Sequence, residues 1–240
     1  MNQSLDDIPI LFIDQDLLVI NKSAGLRSLP DGYDYSLPHA KSVLSPKYGS
    51  LWIVHRLDRY TSGVMVLARN REAHRDLNTQ FQNHKVKKVY LAIIVGCPAW
   101  EHETVRLPLL VNTGRKHRTV VDPEKGKPSE TEFIVIERFT DYCLLEARPK
   151  TGRRHQIRAH LSYEGYPIAC DSVYANQSET IRLENSAALT KRQHFPNPVL
   201  NRIALHASSL EIVHPDKNQR FHLHAPLPED MQQAIETLRN

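Results

Sequence analysis

Short runs of apolar residues, several of them alternating with polar residues, are the commonest pattern along the chain and are typical of β-strands. Two such runs, Pro9–Ile13 and Leu17–Ile20, flank the polar turn Asp14–Asp16 and predict a β-hairpin. Further strands are predicted over residues 51–54, 64–67, 86–95, 130–139, 142–148, 203–213 and 220–224. The chain is therefore expected to be rich in sheet.

Three stretches have the spacing of an amphipathic helix, with apolar residues three or four positions apart. The first covers residues 70–85 with Asn70 as a candidate N-cap, the second covers 151–164 and ends at Gly165, and the third begins at Pro228. Their apolar stripes are Ala73, Leu77 and Phe81, then Ile157 and Leu161, then Met231, Ile235 and Leu238. Because strands outnumber helices and do not alternate regularly with them, the pattern predicts an α+β fold with a mixed, mainly antiparallel sheet and flanking helices.

Three polar segments interrupt this pattern. Residues 21–38 are rich in Gly, Pro, Ser and Tyr and form a loop whose length favours a binding role. Residues 112–129 carry more Lys and Arg than acids, which fits a solvated hairpin or a basic flap over a polyanion. Residues 178–198 are polar and irregular, with some helical character. No repeat or linker marks a domain boundary, so residues 1–240 are expected to form a single domain.

Composition limits the class of protein. At 240 residues, with 40% hydrophobic and 24% charged residues, the sequence is that of an ordinary globular protein that can bury a core. No apolar run approaches the roughly 20 residues of a membrane span. The first 20 residues contain acids but no basic residue, unlike a signal peptide. We therefore expect a cytoplasmic protein with no membrane partner. The net charge of +4 decides little by itself.

Cysteine and histidine usage indicates neither disulfides nor a metal site. The three cysteines, Cys97, Cys143 and Cys170, are far apart and form no CxxC pair. The 13 histidines include no HExxH pattern, and His155 and His160 are five positions apart, which separates them around a helix. We expect free thiols and no bound metal.

The stretch His55–Gly63, with the sequence HRLDRYTSG, places one carboxylate between two arginines. Asp58 is flanked by Arg56 and Arg59, and apolar runs precede and follow the stretch. Such a carboxylate is either a structural residue in an ion pair, which is the commoner case, or a reactive group at a loop tip. The residues by themselves leave both alternatives open.

A second stretch, Arg148–Arg158, contains five Lys or Arg residues and no acid. It fits a solvated basic helix face. It also begins at a strand end, turns through Thr151 and Gly152 and enters a helix, and free backbone N–H groups at such a turn suit phosphate. The chain shows no Ser-His-Asp order, Walker loop, GxGxxG or paired-carboxylate motif. With these motifs excluded, the candidate site is a single carboxylate beside a basic surface.

These stretches together resemble the RluA-type RNA pseudouridine synthases. HRLDRYTSG resembles the family signature HRLDxxTSG, and TGRRHQIR at 151–158 resembles TGRxHQ[IL]R. KVYLA at 88–92 is similar to K-x-Y-x-A, and LHA at 205–207 followed by HP at 214–215 is similar to the family's ending. VINKSAG at 19–25 matches V-x-N-K-P-x-G except at Ser23, where proline is usual. The resemblance spans about residues 9–228.

The resemblance implies a catalytic role for three residues. Asp58 would attack the target uridine, either at the anomeric carbon of the ribose or by starting glycal formation, and the uracil would turn and re-attach through carbon. Tyr90 would stack on the target base and complete proton removal, and Arg158 would form an ion pair with Asp58. Core packing is the alternative for Tyr90, but its strand phase is opposite to that of Leu91 and Ile93.

The resemblance also implies contacts with RNA. Arg56 would enter the base stack when the uridine flips out, and Ile157 would line the pocket. Four further residues would face RNA or support the site, namely Arg153, Arg154, His155 and Gln156. The expected partner is structured RNA, either ribosomal RNA or tRNA.

For the whole chain the resemblance implies the pseudouridine synthase fold, with a central cleft that holds Asp58, and a stand-alone catalytic domain without an S4 domain. The reaction changes no oxidation state and transfers no phosphate, so no cofactor is expected. Nothing in the sequence indicates an obligate interface, and a monomer is expected. Two other functions stay open: a non-catalytic RNA-binding protein that retains the fold, and a nucleoside hydrolase, for which no second carboxylate motif is visible.

Overall fold

The computed structural model of the protein describes residues 8–114, 118–174 and 200–240. The chain divides into two compact units. Unit 1 consists of Met1–Lys88 and Ala207–Pro226, and unit 2 consists of Val89–His206 and Leu227–Asn240. The expectation of a single catalytic domain over residues 1–240 stays a prediction.

Twelve strands and four helices lie within the described residues. In chain order they are β1 (Ile10–Ile13), β2 (Leu17–Lys22), α1 (Ala40–Tyr48), β3 (Trp52–Ile53), β4 (Ser62–Ala68), α2 (Arg71–Gln82), β5 (Lys87–Val95), β6 (His102–Val105), β7 (Leu109–Thr113), β8 (Arg118–Val121), β9 (Thr131–Arg138), β10 (Tyr142–Pro149), α3 (Gln156–Tyr163), β11 (Leu205–Val213), β12 (Arg220–His224) and α4 (Glu229–Arg239). The predicted α+β class with a mainly antiparallel sheet is confirmed.

The sheet of unit 1 has the strand order β1-β2-β4-β11, with β12 on β11 and β3 on β4. The hairpin of β1 and β2 is the one that the first two apolar runs predict. α2 packs Ala73 and Leu77 on the buried side chains of β2 and β4. Its first turn is capped as predicted, because the Asn70 side-chain oxygen accepts the N–H of Ala73 at 2.8 Å.

The sheet of unit 2 has the order β5-β10-β9-β6, and each of these pairs is antiparallel. β7 and β8 form a separate two-stranded sheet. The core of this unit combines strand residues such as Ile93, Phe133 and Leu145 with Leu161 of α3 and Met231 of α4. The predicted pair of β9 and β10 and the predicted C-terminal helix are therefore present.

The helix predicted over 151–164 begins later than expected, at Gln156. The residue before it, His155, has a φ of +53°. A right-handed helix cannot continue through that conformation. The preceding residues form an irregular turn.

The loop predicted over 21–38 is shorter than expected at its N-terminal end, because β2 continues to Lys22. It is followed by α1, which the sequence pattern did not predict. α1 is short, contains Pro46 and buries only Ala40 and Leu44, so its apolar stripe is too narrow to recognise.

Two predicted features lie outside the described residues: the irregular segment 178–198, and the tip of the basic hairpin at Arg115, Lys116 and His117. Within the ranges that are described, no helix is long and apolar enough to cross a membrane.

Candidate active site

Asp58 lies in the loop that joins β3 to β4. In this loop Leu57 is buried, Asp58 is half-buried and Arg56 is exposed. The N–H of Thr61 donates to the carbonyl of Asp58 at 3.1 Å, which closes a turn directly after the carboxylate. Two of the expected site residues, Arg56 and Asp58, therefore lie in one loop, whose backbone is closed by this hydrogen bond.

The segment 22–28 holds this loop on both sides of Asp58. On the N-terminal side, Ser28 Oγ donates to the carbonyl of Leu57 at 2.8 Å and accepts the N–H of Leu57 at 3.0 Å. On the C-terminal side, the N–H of Gly25 donates to the carbonyl of Arg59 at 2.8 Å. Hydrogen bonds to both flanking residues fix the backbone of the residue between them.

Lys22 makes a third attachment. Its side chain is fully buried, and its ammonium group lies 3.0 Å from the carbonyl of Ser23, 2.9 Å from that of Leu26 and 3.3 Å from that of Arg59. A buried charge needs such partners because the loss of its hydration is otherwise strongly unfavourable. Lys22 therefore joins the end of β2 to the loop that carries Asp58.

His55, which opens the HRLD stretch, is a neutral structural residue. Its Nε2 accepts the N–H of Val66 at 3.0 Å, and its ring stacks on Phe81 with centroids 4.8 Å apart. Burial, with a smaller contribution from Lys88, lowers the pKa of His55 to about 3. The imidazole is therefore a fixed acceptor and not a proton donor near neutral pH.

Gln156 braces the turn before α3. Its side-chain oxygen accepts from Thr151 Oγ1 at 2.7 Å and from the N–H of Arg153 at 3.0 Å. Its amide group donates to the carbonyl of Glu130 and to Thr131 Oγ1, each at 2.9 Å. Gln156 is also buried, and its role in facing RNA or in supporting the site stays a prediction.

Arg158 is buried and forms a bidentate ion pair with Asp171. Its Nε and one Nη donate to the two carboxylate oxygens at 2.7 and 2.8 Å. The guanidinium also lies over the ring of Tyr174, 4.9 Å from its centroid. Asp171 is itself held, because it accepts the N–H of Val173 at 3.0 Å. The ion pair that the resemblance implies between Arg158 and Asp58 stays a prediction.

Tyr174 links this ion pair to the basic turn. Its hydroxyl accepts the N–H of Thr119 at 2.9 Å and lies 3.0 Å from Nδ1 of His155. Burial raises the pKa of Tyr174, so the phenol stays protonated. Thr119 in turn donates its hydroxyl to the carbonyl of Arg154 at 2.8 Å. One phenol ring therefore positions both His155 and Arg158.

Arg153 and Arg154, expected to contact RNA, are half-buried. An Nη of Arg153 donates to the carbonyl of Pro128 at 3.3 Å, and an Nη of Arg154 donates to the side chain of Asn112. In both, Nε is buried and has no hydrogen-bond partner among the residues that the structure describes. Buried donors in that state are rare in folded proteins.

Tyr90 and Ile157 complete the expected set. Tyr90 is half-buried in β5, opposite Ala147 of β10, and it packs against the core of unit 2. The strand phase of Tyr90 argued against packing in the core, but the side chain does contact the core in part. Ile157 is buried in the same core.

The stretches that resemble a known signature are therefore densely hydrogen-bonded. A family model described as RNA pseudouridylate synthase matches residues 16–163. The chain belongs to this family. Ribosomal large subunit pseudouridine synthase C of Haemophilus ducreyi is 36% identical over 232 residues, which cover 96% of this chain and 69% of that protein. The protein of the same name from Escherichia coli strain K12 is 35% identical over 233 residues, with 96% and 70% covered.

Two solved human structures share the fold. RNA Pseudouridylate Synthase Domain Containing 4 matches with a TM-score of 0.74 at 24% identity, covering 96% of this chain and 93% of that chain. RNA Pseudouridylate Synthase Domain Containing 1 gives the same TM-score and identity over 100% and 97%. The predicted fold and the predicted enzyme class, an isomerase that acts on RNA, are confirmed. The non-catalytic RNA-binding alternative is not favoured.

One group of side chains in the described part of this synthase has the composition of a metal site. Ligand atoms of Asp14, Asp16 and His214 lie within 4.8 Å of one another. Nδ1 of His214 accepts the N–H of Lys217, so Nε2 carries the proton and donates to Asp14 at 2.8 Å. Lys217 Nζ lies 3.5 Å from the same carboxylate oxygen. A hydrogen-bond donor and a cation already occupy the carboxylate that a metal would need, and the group fits a structural ion-pair network.

Sequence reasoning missed four residues that position the site: Lys22, Ser28, Asp171 and Tyr174. Lys22 carried a signal, since it directly follows an apolar strand and stands in the VINKSAG match. Asp171 and Tyr174 lie beyond α3, where no periodic pattern connects them to Arg158. Ser28 stands in a stretch whose composition indicates only a loop.

Proposed function

We propose that this protein converts specific uridines of large-subunit ribosomal RNA to pseudouridine, with Asp58 as the nucleophile. The substrate is supported by the relatives at 35–37% identity, which are named ribosomal large subunit pseudouridine synthases. The observation that carries the proposal is the placement of Asp58. This half-buried carboxylate lies between two residues, Leu57 and Arg59, whose backbones are both held by the segment 22–28.

In the proposed reaction the bond between N1 of uracil and the ribose breaks, and a bond between C5 and the same ribose carbon forms. Asp58 attacks the anomeric carbon or starts glycal formation, since carboxylates serve well where a glycosidic carbon gains positive charge. C5 loses a proton and N1 gains one, so the product is an isomer of the substrate. The proposal includes no cofactor and no metal.

Tyr90, Arg158 and Ile157 keep the roles that the family resemblance implies. Tyr90 stacks on the target base and completes the removal of the C5 proton. Arg158 forms an ion pair with the carboxylate of Asp58 and holds a positive charge beside it. The rigid hold of Asp171 on the guanidinium supports this role, since a positioned charge needs no rearrangement during the reaction. Ile157 lines the pocket for the base.

The proposed contacts with structured RNA combine base flipping with phosphate binding. Extraction of a uridine from its stack costs a few kcal/mol, which an inserted side chain offsets. The exposed Arg56 is suited to that insertion. Arg153 and Arg154 are only half-buried, which supports contacts of their guanidinium groups with phosphate, and His155 faces the RNA beside them.

The test is the Asp58→Asn variant. We expect it to abolish conversion of uridine in a transcript of large-subunit ribosomal RNA, while RNA affinity at fixed salt changes little because phosphate contacts dominate it. Asp216→Asn is the matched control, since Asp216 is exposed, and it should retain full activity. Pseudouridine mapping of the transcript, and of RNA from cells that lack the gene, identifies the modified position.

Other outcomes of this mapping separate the alternatives. Loss of a pseudouridine from tRNA alone would contradict the ribosomal substrate, and release of free uracil would indicate a nucleoside hydrolase. If no RNA lost a modification and the purified protein altered none, the proposed activity would be wrong. The monomeric state and the cytoplasmic location stay predictions, which light scattering and cell fractionation test.

A further inference from the structure

We propose that residues 29–38, here called the tyrosine loop, form a stacking surface for unpaired RNA bases next to the target uridine. This inference rests on the proposed function and extends it to the neighbouring nucleotides. Tyr33 and Tyr35 of this loop are 91% and 79% exposed, and they are the two most exposed large apolar side chains among the described residues.

Two phenol rings in water are the feature that points to a partner. Single exposed apolar side chains are common on protein surfaces and need no explanation. Tyr33 and Tyr35 are only two positions apart, so one short stretch presents two exposed aromatic rings. Aromatic rings in such positions are the usual platform for bases that have left a helix, because every base has a face on which to stack.

The tyrosine loop is held in a defined conformation by its two acids. Oδ1 of Asp31 accepts the N–H of Tyr33 at 3.0 Å and that of Asp34 at 3.2 Å, and its Oδ2 pairs with Arg27 at 3.2 Å. Oδ1 of Asp34 accepts the N–H of Ser36 at 3.0 Å. The two carboxylates are therefore engaged with the backbone of the loop, while the side chains of Tyr33 and Tyr35 are exposed to solvent.

The neck of the loop is attached to the catalytic loop. Ser28, directly before the tyrosine loop, forms two hydrogen bonds with Leu57, the residue that precedes Asp58. Because an extended chain spans at most about 3.5 Å per residue, Tyr33 lies within about 18 Å of Ser28. An RNA strand that delivers a uridine to Asp58 therefore passes within a few nucleotides of the two tyrosines.

The charge of the loop selects bases over phosphates. Residues 29–38 contain two acids, Asp31 and Asp34, and no Lys or Arg. Such a surface does not attract the phosphate backbone, whereas stacking on an aromatic ring requires no charge. Unpaired bases are found in the loops and bulges of structured RNA, where a uridine is also easiest to extract. The chemistry of the loop thus fits splayed bases beside the target.

The test measures binding to a protein-free transcript of large-subunit ribosomal RNA over a series of KCl concentrations. We expect Tyr33→Ala/Tyr35→Ala to weaken binding about tenfold or more at every concentration, with the slope of log affinity against log salt unchanged. Tyr33→Phe/Tyr35→Phe keeps both rings and should bind like the wild type. Tyr163→Ala, which removes a tyrosine that is 51% exposed elsewhere, is the second control. Thermal melts check that all variants are folded.

Three results would overturn the inference. They are unchanged affinity of the double alanine variant, a phenylalanine variant as weak as the alanine variant, and a reduced salt slope. The third would indicate phosphate contacts. Conversion of the same transcript by the wild type is measured in parallel. Its failure would count against the proposed function, whereas the binding comparison decides the role of the tyrosine loop in either case.

Discussion

Arg158 lies in a helix, α3, that is buried on nearly every side. Polar residues can occupy such a helix only when each has a defined partner, because an unpaired buried charge costs several kcal/mol. Arg158 has the carboxylate of Asp171. His160 has the Thr131 hydroxyl at 2.9 Å and the Leu107 carbonyl at 3.1 Å. Asp171 is therefore as necessary to the position of Arg158 as the sequence signature that contains this arginine.

Asp171→Asn removes the negative partner of a buried guanidinium. We expect it to lower the free energy of unfolding by about 3–5 kcal/mol. The control is Glu146→Gln, which removes the partner of the partly exposed Arg148 and should cost less than about 1 kcal/mol. Urea unfolding measures both. Equal losses would mean that the pair of Arg158 and Asp171 contributes no more to stability than a surface pair.

At the scale of the elements, the loop between β3 and β4 takes its position from contacts with distant parts of the chain. Ser28 reaches Leu57 across 29 positions and Lys22 reaches Arg59 across 37. At the start of β4, Gly63 has a φ of +118°, and a Cβ there would lie 2.7 Å from the backbone nitrogen of Ala207 in β11. Asp58 is thus placed by backbone contacts and not by its own side chain alone.

Ser28→Ala leaves the N–H and the carbonyl of Leu57 without their side-chain partner. We expect a loss of about 1–3 kcal/mol in the free energy of unfolding. We also expect a lower kcat with little change in KM, because the carboxylate is then less precisely positioned. Ser45→Ala is the matched control, since Ser45 Oγ is buried and has no hydrogen-bond partner within the described residues. A stable variant with wild-type kcat would show that Ser28 does not position Asp58.

Gly63→Ala forces a methyl group against the backbone of β11 in a conformation that alanine rarely adopts. We expect a loss of more than about 3 kcal/mol in stability, or failure to fold. Gly32→Ala is the control, because a Cβ at Gly32 meets no atom within 4 Å. Thermal unfolding of the two variants should differ clearly, and similar melting temperatures would contradict the close approach of the two strands.

For the whole molecule, burial sets how stability depends on pH. Burial lowers the pKa of His160, and it lowers that of His55 to about 3. In the unfolded chain both groups titrate near pH 6.5. For His55 this means that between about pH 3 and pH 6.5 the unfolded chain binds more protons than the folded protein. The free energy of unfolding therefore rises with pH over this range.

We therefore expect the stability contributed by neutral His55 to be fully present above about pH 6.5 and to be lost as the pH falls toward 3. The loss amounts to at most about 1.4 kcal/mol per pH unit. His55→Gln retains an acceptor for the N–H of Val66 but does not titrate. Denaturant unfolding over this pH range should show a shallower dependence for the variant. An identical dependence would mean that the folded protein does not hold His55 neutral.

The sequence by itself determined the elements whose signals are local. α2 was predictable because its cap, Asn70, and its apolar stripe are neighbours along the chain. The strand pair β9 and β10 was predictable for the same reason, since period-two alternation depends only on adjacent residues. The family was also predictable, because the identity and order of the residues in HRLDRYTSG and TGRRHQIR are properties of the chain alone.

Only the tertiary structure decided which polar residues are buried and what holds them. The lysine of the VINKSAG stretch, Lys22, is inside the molecule because its ammonium group contacts the carbonyl of Leu26 and that of Arg59, which is 37 positions away. α3 starts at Gln156 because His155 is turned out of the helical conformation beside the Tyr174 hydroxyl. Local patterns report which side chains avoid water. They do not report the distant donors and acceptors that make the burial of a charge or an amide favourable, and these were found only in the folded chain.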